Sequence, residues 1–229
     1  MAEFNGFPIE MSKFFTELSI NNTKKWFDEH RDEYENYVRE PARAFVQAMA
    51  EPLKKMVPGI NAIPKVNRSL FRINRDLRFS KNKEPYKTNL GLLFWEGALK
   101  KRTRYPGLYL QYSTDFSFLG SGMYSTDKEN LKLWREALTR KAFAKNLYET
   151  IESLKKMGYM VKGKHYKRKP AGYEINKYNE ELLLYRGIWT MKEIKDDDIF
   201  FKPELVDFCI DHFRNLKPLH QLLVEIQTA

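Results

Sequence analysis

The chain has 229 residues, of which 42% are hydrophobic and 14% aromatic, enough to build a packed core and too apolar for a disordered tail. The formal net charge is +10, and the single cysteine, Cys209, excludes an internal disulfide and any multi-cysteine zinc site. No apolar run approaches the ~18–20 residues that span a bilayer. The opening "MAEFNGFPIEMSKFF" lacks the basic start and long apolar stretch of a secretory leader, so a cytoplasmic protein with no membrane partner is expected.

Two helices are predicted first. Ser12 is placed as the cap of one that carries Phe14, Phe15 and Leu18 on its apolar edge, and Asn22 or Thr23 as the cap of the next. In that second helix Trp26, Phe27, His30, Tyr34, Tyr37 and Val38 recur at helical spacing, and Pro41 suits the first turn of a third helix through Phe45, Met49 and Leu53. "MVPGINAIP" breaks the helical part at about residues 1–57. A sheet is predicted over about 64–124: a strand from Val66 through Asn74, a buried strand at "NLGLLFWEG", and a hairpin at "GLYLQYSTDFSFLG". Thr126 followed by Glu129 reads as a capping box opening a helix with Leu131, Trp134 and Leu138 buried. A further helix holds Phe143, Leu147, Ile151 and Leu154 and ends near Gly158, so these two cover about 127–157. "IWTMKEI" reads as a short strand, and a terminal helical pair over about 203–227 is split by Pro218. The expectation is one α+β domain over 1–229, a central antiparallel sheet covered by N-terminal, middle and C-terminal helices.

Charge is unevenly distributed along the chain. Residues 61–110 carry 12 basic and 3 acidic side chains, residues 161–178 carry 6 and 1, and the rest of the chain is mildly acidic. The first excess centres on "FRINRDLRFSKNKEPYKTNLG", with Arg72, Arg75, Arg78, Lys81, Lys83 and Lys87 against Asp76 and Glu84. Like charges this crowded repel unless they are spread in space or hold an anion. Arginines three apart cannot share one face of a strand, so a strand ending near Asn74 and an irregular loop to Pro85 are predicted. Arg72, Arg75 and Arg78 offer forked contacts to phosphate or carboxylate, with Lys83 and Lys87 as point charges and Ser80 and Tyr86 as neutral partners. Interleaved Phe71, Phe79, Pro85 and Tyr86 argue for an ordered, partly buried loop.

The second segment, "KGKHYKRKPAGYEINKY", adds Lys167, Arg168 and Tyr173, with Pro170 and Gly172 marking a fixed turn. Gly120 and Gly122, before a helix start, read as a third anion-friendly element. Phosphate-loop, dinucleotide and serine-nucleophile signatures are absent, and His30, His165, His212 and His220 fit no zinc pattern. No metal and no cofactor is expected.

The order Arg-Asp, Arg-Phe-Ser and Pro-Tyr-Lys in "RINRDLRFSKNKEPYKTNLG" resembles the signature of the domain of unknown function 2461 family. The likeness extends through "FFTELSINNTKKWFDEHRDEYENYVREP", the hairpin and "YKRKPAGYEINKYNEELLLYRGIW". It implies a mainly bacterial, stand-alone cytosolic protein and no particular activity. The family pattern often has an acid where Asn82 stands and an arginine where Ala171 stands.

The leading functional expectation is a basic cleft for an anionic small molecule, phosphorylated or carboxylate. Should there be chemistry, Asp76 or Glu84 is the candidate general acid or base. A purely structural role for the basic signature in a protein-interaction domain is the alternative, and a nucleic-acid-binding module the second alternative.

Overall fold

Among the described residues, 4–100, 102–123 and 127–228, the strands are β1 (Ile60–Asn61), β2 (Asn89–Glu96), β3 (Gly107–Ser113), β4 (Phe118–Met123), β5 (Met160–Lys164) and β6 (Tyr185–Glu193). In the computed structural model they form one antiparallel sheet in the order β1-β2-β3-β4-β6-β5, so the architecture is α+β. By its internal packing the chain divides into two units. One comprises Met1–Phe94, Tyr109–Leu119 and Glu193–Asp211, and the other Trp95–Leu108, Gly120–Lys192 and His212–Ala229.

The first unit opens with α1 (Glu10–Ile20), which buries Met11, Phe14, Phe15 and Leu18. It begins ahead of Ser12, with Ile9 at the cap position and no side-chain cap; the buried apolar edge, not a capping hydroxyl, sets its start. Thr23 caps α2 (Lys24–Glu29) by accepting from the Trp26 amide. A short turn α3 (Arg31–Glu33) and a π-helical stretch, Tyr34–Arg39, lead into α4 (Glu40–Met56), where Pro41 occupies the first turn as expected. Tyr34, Val38, Ala42, Phe45, Val46, Met49 and Leu53 are buried along this run. The aromatic cluster is dense: Phe4 meets Phe45 at 5.1 Å, Phe27 meets Tyr34 at 5.4 Å, and Tyr112 of β3 meets Phe200 at 4.9 Å.

The stretch expected as a strand from Val66 is instead an irregular arm held by isolated bridges, Leu70 to Leu92 and Asn74 to Tyr86. Phe71 N–H donates to Gly91 O, Lys87 N–H to Ile73 O and Arg75 N–H to Pro85 O. Residues 71–75 and 85–91 therefore face each other as a loose antiparallel pair, and 76–84 form its tip. No regular strand forms because the charged side chains stay in water, leaving little apolar surface to drive a ladder.

In the second unit Asp127 caps α5 (Lys128–Thr139) by accepting from the Asn130 amide; the expected cap Thr126 lies outside the described residues. Trp134, Ala137 and Leu138 of α5 are buried, as are Phe143, Ala144, Leu147, Ile151 and Leu154 of α6 (Lys141–Lys156), while Leu131 is only half-buried. β5 pairs antiparallel with β6 from Met160 opposite Met191, with a bulge between Lys162 and Lys164 where Gly163 has φ +113°. Gly120 and Gly122 do not form a loop before the helix. They lie within β4, where a Cβ would fall 1.9 Å from Thr190 O and 2.3 Å from Trp189 Cα, so glycine there permits close approach of β6.

The C-terminal segment is one helix, α7 (Leu205–Thr228), not a pair split at Pro218. A proline inside a helix costs about 3 kcal/mol. Leu216, Leu219, Leu223 and Ile226 are each at most 1% exposed, and burying such side chains contributes roughly 1.5–3 kcal/mol apiece. Burial wins. No helix among the described residues is long and apolar enough to cross a membrane.

Candidate functional site

The stem of the basic excursion is fixed by one asparagine and one ring. Asn22 Nδ2 donates to Tyr86 O at 3.0 Å, and Tyr86 N–H donates to Asn22 Oδ1 at 3.0 Å. The Tyr86 ring stacks on Phe27 with centroids 4.1 Å apart, and burial, reinforced by Asp28, raises its hydroxyl pKa. Asn22 and Thr23 thus divide the two capping expectations. Thr23 caps α2, while Asn22 anchors a segment 64 residues away. Only its polarity and its place at a helix corner signal this in the sequence.

Within the tip, each acid holds an arginine. Arg78 donates from Nε to Asp76 Oδ1 at 2.9 Å and from Nη2 to Asp76 Oδ2 at 2.6 Å, and its amide also donates to Oδ1 at 3.3 Å. The Arg78 side-chain and backbone donors hold the Asp76 carboxyl down at about 2, and the same contact raises the Arg78 guanidinium. Arg75 Nη1 donates to Glu84 Oε2 at 3.3 Å and its Nη2 reaches Ser80 Oγ at 3.5 Å. Asn82 Nδ2 donates to the same Glu84 oxygen at 2.8 Å. Lys83 Nζ reaches Leu77 O at 3.4 Å, and Lys87 Nζ donates to Arg72 O at 2.9 Å while lying 5.3 Å from the Phe71 ring centre. Among the described residues Arg72 and Lys81 form no ion pair, and both are exposed. Phe71 and Pro85 are half-buried and Tyr86 is buried, but Phe79 is 94% exposed at the tip, contrary to the burial expected of it.

Chemically, the pairing leaves donors over. Arg78 spends Nε and Nη2 on Asp76 and keeps Nη1; Arg75 keeps Nε; Ser80, accepting from Arg75, keeps its own O–H proton to donate. An aspartate held at about 2 is ionised at neutral pH and has no proton to give, and both of its oxygens already accept from Arg78. Glu84 likewise accepts from Arg75 and is braced by Asn82.

The second basic segment belongs to the other unit. Its end is pinned by Asn179, fully buried, whose Nδ2 donates to Leu138 O and Glu174 O at 2.9 Å each. Lys164 pairs with Glu181 at 3.5 Å and Lys169 with Glu180 at 3.1 Å, and the Arg135 guanidinium lies 5.0 Å from the Tyr166 ring centre. Lys167 and Arg168 are exposed, without ion pairs among the described residues, and Tyr173 is half-buried beside Gly172, whose φ of +82° forms the expected turn.

Each histidine has a packing role. His30 stacks on Trp26 at 4.0 Å, His165 meets Tyr166 edge-on at 4.9 Å, Tyr159 Oη lies 2.9 Å from His212 Nδ1, and buried His220 lies 3.0 Å from Glu96 Oε2. Among the described residues no three of His, Cys, Asp or Glu side chains come together as metal ligands.

Comparison with known proteins matches residues 10–222 to the family described as conserved hypothetical protein, DUF2461. No curated protein matches the chain. The match takes in both basic segments and nearly every element described above, and the chain belongs to the DUF2461 family.

Proposed function

We propose that the excursion 72–87 binds an anionic ligand, a phosphorylated or carboxylate molecule, through Arg72, Arg75, Arg78, Ser80 and Lys83, with Tyr86 and Lys87 holding its stem. The observation that carries the reading is the orientation of two guanidinium groups by their own carboxylates, Arg75 by Glu84 and Arg78 by Asp76, on a stem fixed by Asn22. Preoriented donors lose less freedom on binding than mobile ones. Stability alone accounts poorly for the cluster, because the Arg78 and Asp76 side chains are 76% and 44% exposed and water screens their attraction. Lys167, Arg168 and Tyr173 are proposed as a second anion-attracting patch, considered by itself. A cytoplasmic location is proposed with it, in keeping with a chain whose single cysteine, Cys209, forms no disulfide.

The test is a thermal-shift and calorimetric screen of phosphate-rich and polycarboxylate ligands on the native chain and on Arg75→Ala/Arg78→Ala. The variant is expected to keep its circular dichroism spectrum and lose the ligand response. A variant that binds as the native chain does removes the reading. A large fall in melting temperature of Arg75→Ala, with no ligand response in either protein, favours a structural role, to which the Arg75–Glu84 pair lends itself.

A further inference from the structure

Resting on that anion-binding reading, we infer that the partner of the 76–84 tip is single-stranded nucleic acid, with a base stacked on Phe79. Single exposed apolar side chains are ordinary on protein surfaces. Phe79 differs in its setting. It is 94% exposed, the Arg78 guanidinium lies 5.8 Å from its ring centre, and exposed Arg72, Lys81 and Lys83 lie within seven residues of it. The two acids of the tip are already engaged with Arg78 and Arg75, so their repulsion toward a phosphate is offset locally.

A small anion would use only the cations and leave the ring in water. A ligand that engages ring and cations together must alternate flat apolar faces with negative charges. A single strand does so at every nucleotide, whereas in a duplex the base faces are covered by their neighbours. Stacking on an aromatic ring tolerates any base, because every base presents a π-face. The stem adds to this: Asn22 and the Phe27–Tyr86 stack present the tip on a fixed base, which lowers the ordering required on contact. A membrane surface is less well matched, since attachment scales with the apolar area buried in the interface and Phe79 is one ring on an irregular loop, not an amphipathic face.

The experiment uses the full chain and four probes: labelled oligothymidylate of fifteen nucleotides, a duplex of the same length, polyphosphate of matched charge, and vesicles containing phosphatidylserine. Oligothymidylate is expected to bind, with the logarithm of affinity falling against the logarithm of salt at a slope of about −3 if Arg72, Arg78, Lys81 and Lys83 each neutralise a phosphate. Phe79→Ala should weaken oligothymidylate about 5- to 100-fold and leave polyphosphate unchanged, while Phe79→Trp restores binding. Its exposure means neither change disturbs the core, and an unaltered melting temperature checks that. If polyphosphate binds but Phe79→Ala leaves oligothymidylate untouched, the nucleic-acid inference falls and the anion reading stands. If the duplex binds as tightly as the single strand, or only vesicles respond to Phe79→Ala, the inference falls as well. If no probe binds, the nucleic-acid inference falls together with the phosphate form of the anion reading, and the polycarboxylate screen decides the rest of that reading.

Discussion

Asn22 shows how a single side chain can govern a charged segment it does not share charge with. Its two hydrogen bonds to the Tyr86 backbone are mutual, donor to acceptor and acceptor to donor. Removing both leaves Tyr86 N–H and C=O short of partners at a buried residue, a loss of about 1–3 kcal/mol. For a chain of this size that is a fall in melting temperature of roughly 3–10 °C in Asn22→Ala. Trypsin should then cut sooner within 75–83, because Arg75 ends the loosened stem and Arg78, Lys81 and Lys83 sit on its tip; an unchanged digestion pattern would show that the anchor is dispensable. Asp76 is the opposite case, a charge with a local role. Its pKa is depressed, so its pairing contributes at all pH values above the ordinary 3.8 and is lost as the pH falls toward about 2. Asp76→Asn is expected to lower the melting temperature at pH 7 only slightly, because the pair is exposed, and to bind polyphosphate more weakly than the native chain, because Arg78 loses the carboxylate that orients it. Binding at least as tight as the native chain's would mean that the repulsion the carboxylate adds outweighs its grip on Arg78.

Elements were legible in the sequence where burial alternates with a clear period. The β3–β4 hairpin could be read from Leu108, Leu110 and Tyr112 on one face, and α6 from Phe143, Leu147, Ile151 and Leu154, and all seven side chains are buried. β5 gave no such signal because its residues, Met160 to Lys164, are exposed or half-buried and carry two lysines. Gly120 and Gly122 misled because glycine marks both turns and close strand approach, and only the opposing Thr190 and Trp189 backbone decides between them. The basic excursion was legible as charge and as a loop closing at Pro85, but the pairing of each arginine with a carboxylate of the same tip, and the outward turn of Phe79, depend on how the loop closes. Gly122→Ala is therefore expected to destabilise the fold by misplacing β6, whereas Gly172→Ala, with φ +82° and nothing within 4 Å, should cost only the left-handed backbone strain of about 1–2 kcal/mol. Equal losses in denaturant titrations of the two variants would refute that distinction. α7 gives a second case. Pro218 sits exposed in a helix whose flanking leucines are buried, so Pro218→Ala restores a backbone donor without touching the core. Urea unfolding should show a gain of about 1–3 kcal/mol, reduced by the freer unfolded chain. No gain would indicate a bend that α7 requires.

At the scale of the whole molecule, the net charge of +10 coexists with an acidic corner at Glu193–Asp198, in which Asp197 is shifted in the opposite direction to Asp76 and Asp127. Asp197 lies among Asp196, Asp198 and Glu193, and desolvation first, then these neighbours, raise its pKa against the lowering effect of a Ser117 hydrogen bond. The folded protein thus holds that proton more tightly than the unfolded chain does. Asp197 favours the fold most below its ordinary value of 3.8, and this contribution is lost as pH rises through the raised folded value. Asp127, lowered chiefly by the Asn130 amide, and Asp76 act with the opposite sign and weaken the fold only in acid. The melting temperature therefore reflects carboxylates of opposed sign, Asp197 against Asp76 and Asp127, and Asp197→Asn removes the ionisation of the first while keeping the size of its side chain. Scanning calorimetry should find the variant more stable than the native chain at pH 7 and no more stable at pH 3.5. A gain of the same size at both pH values would mean that the side chain's shape, and not its ionisation, is what the corner resists.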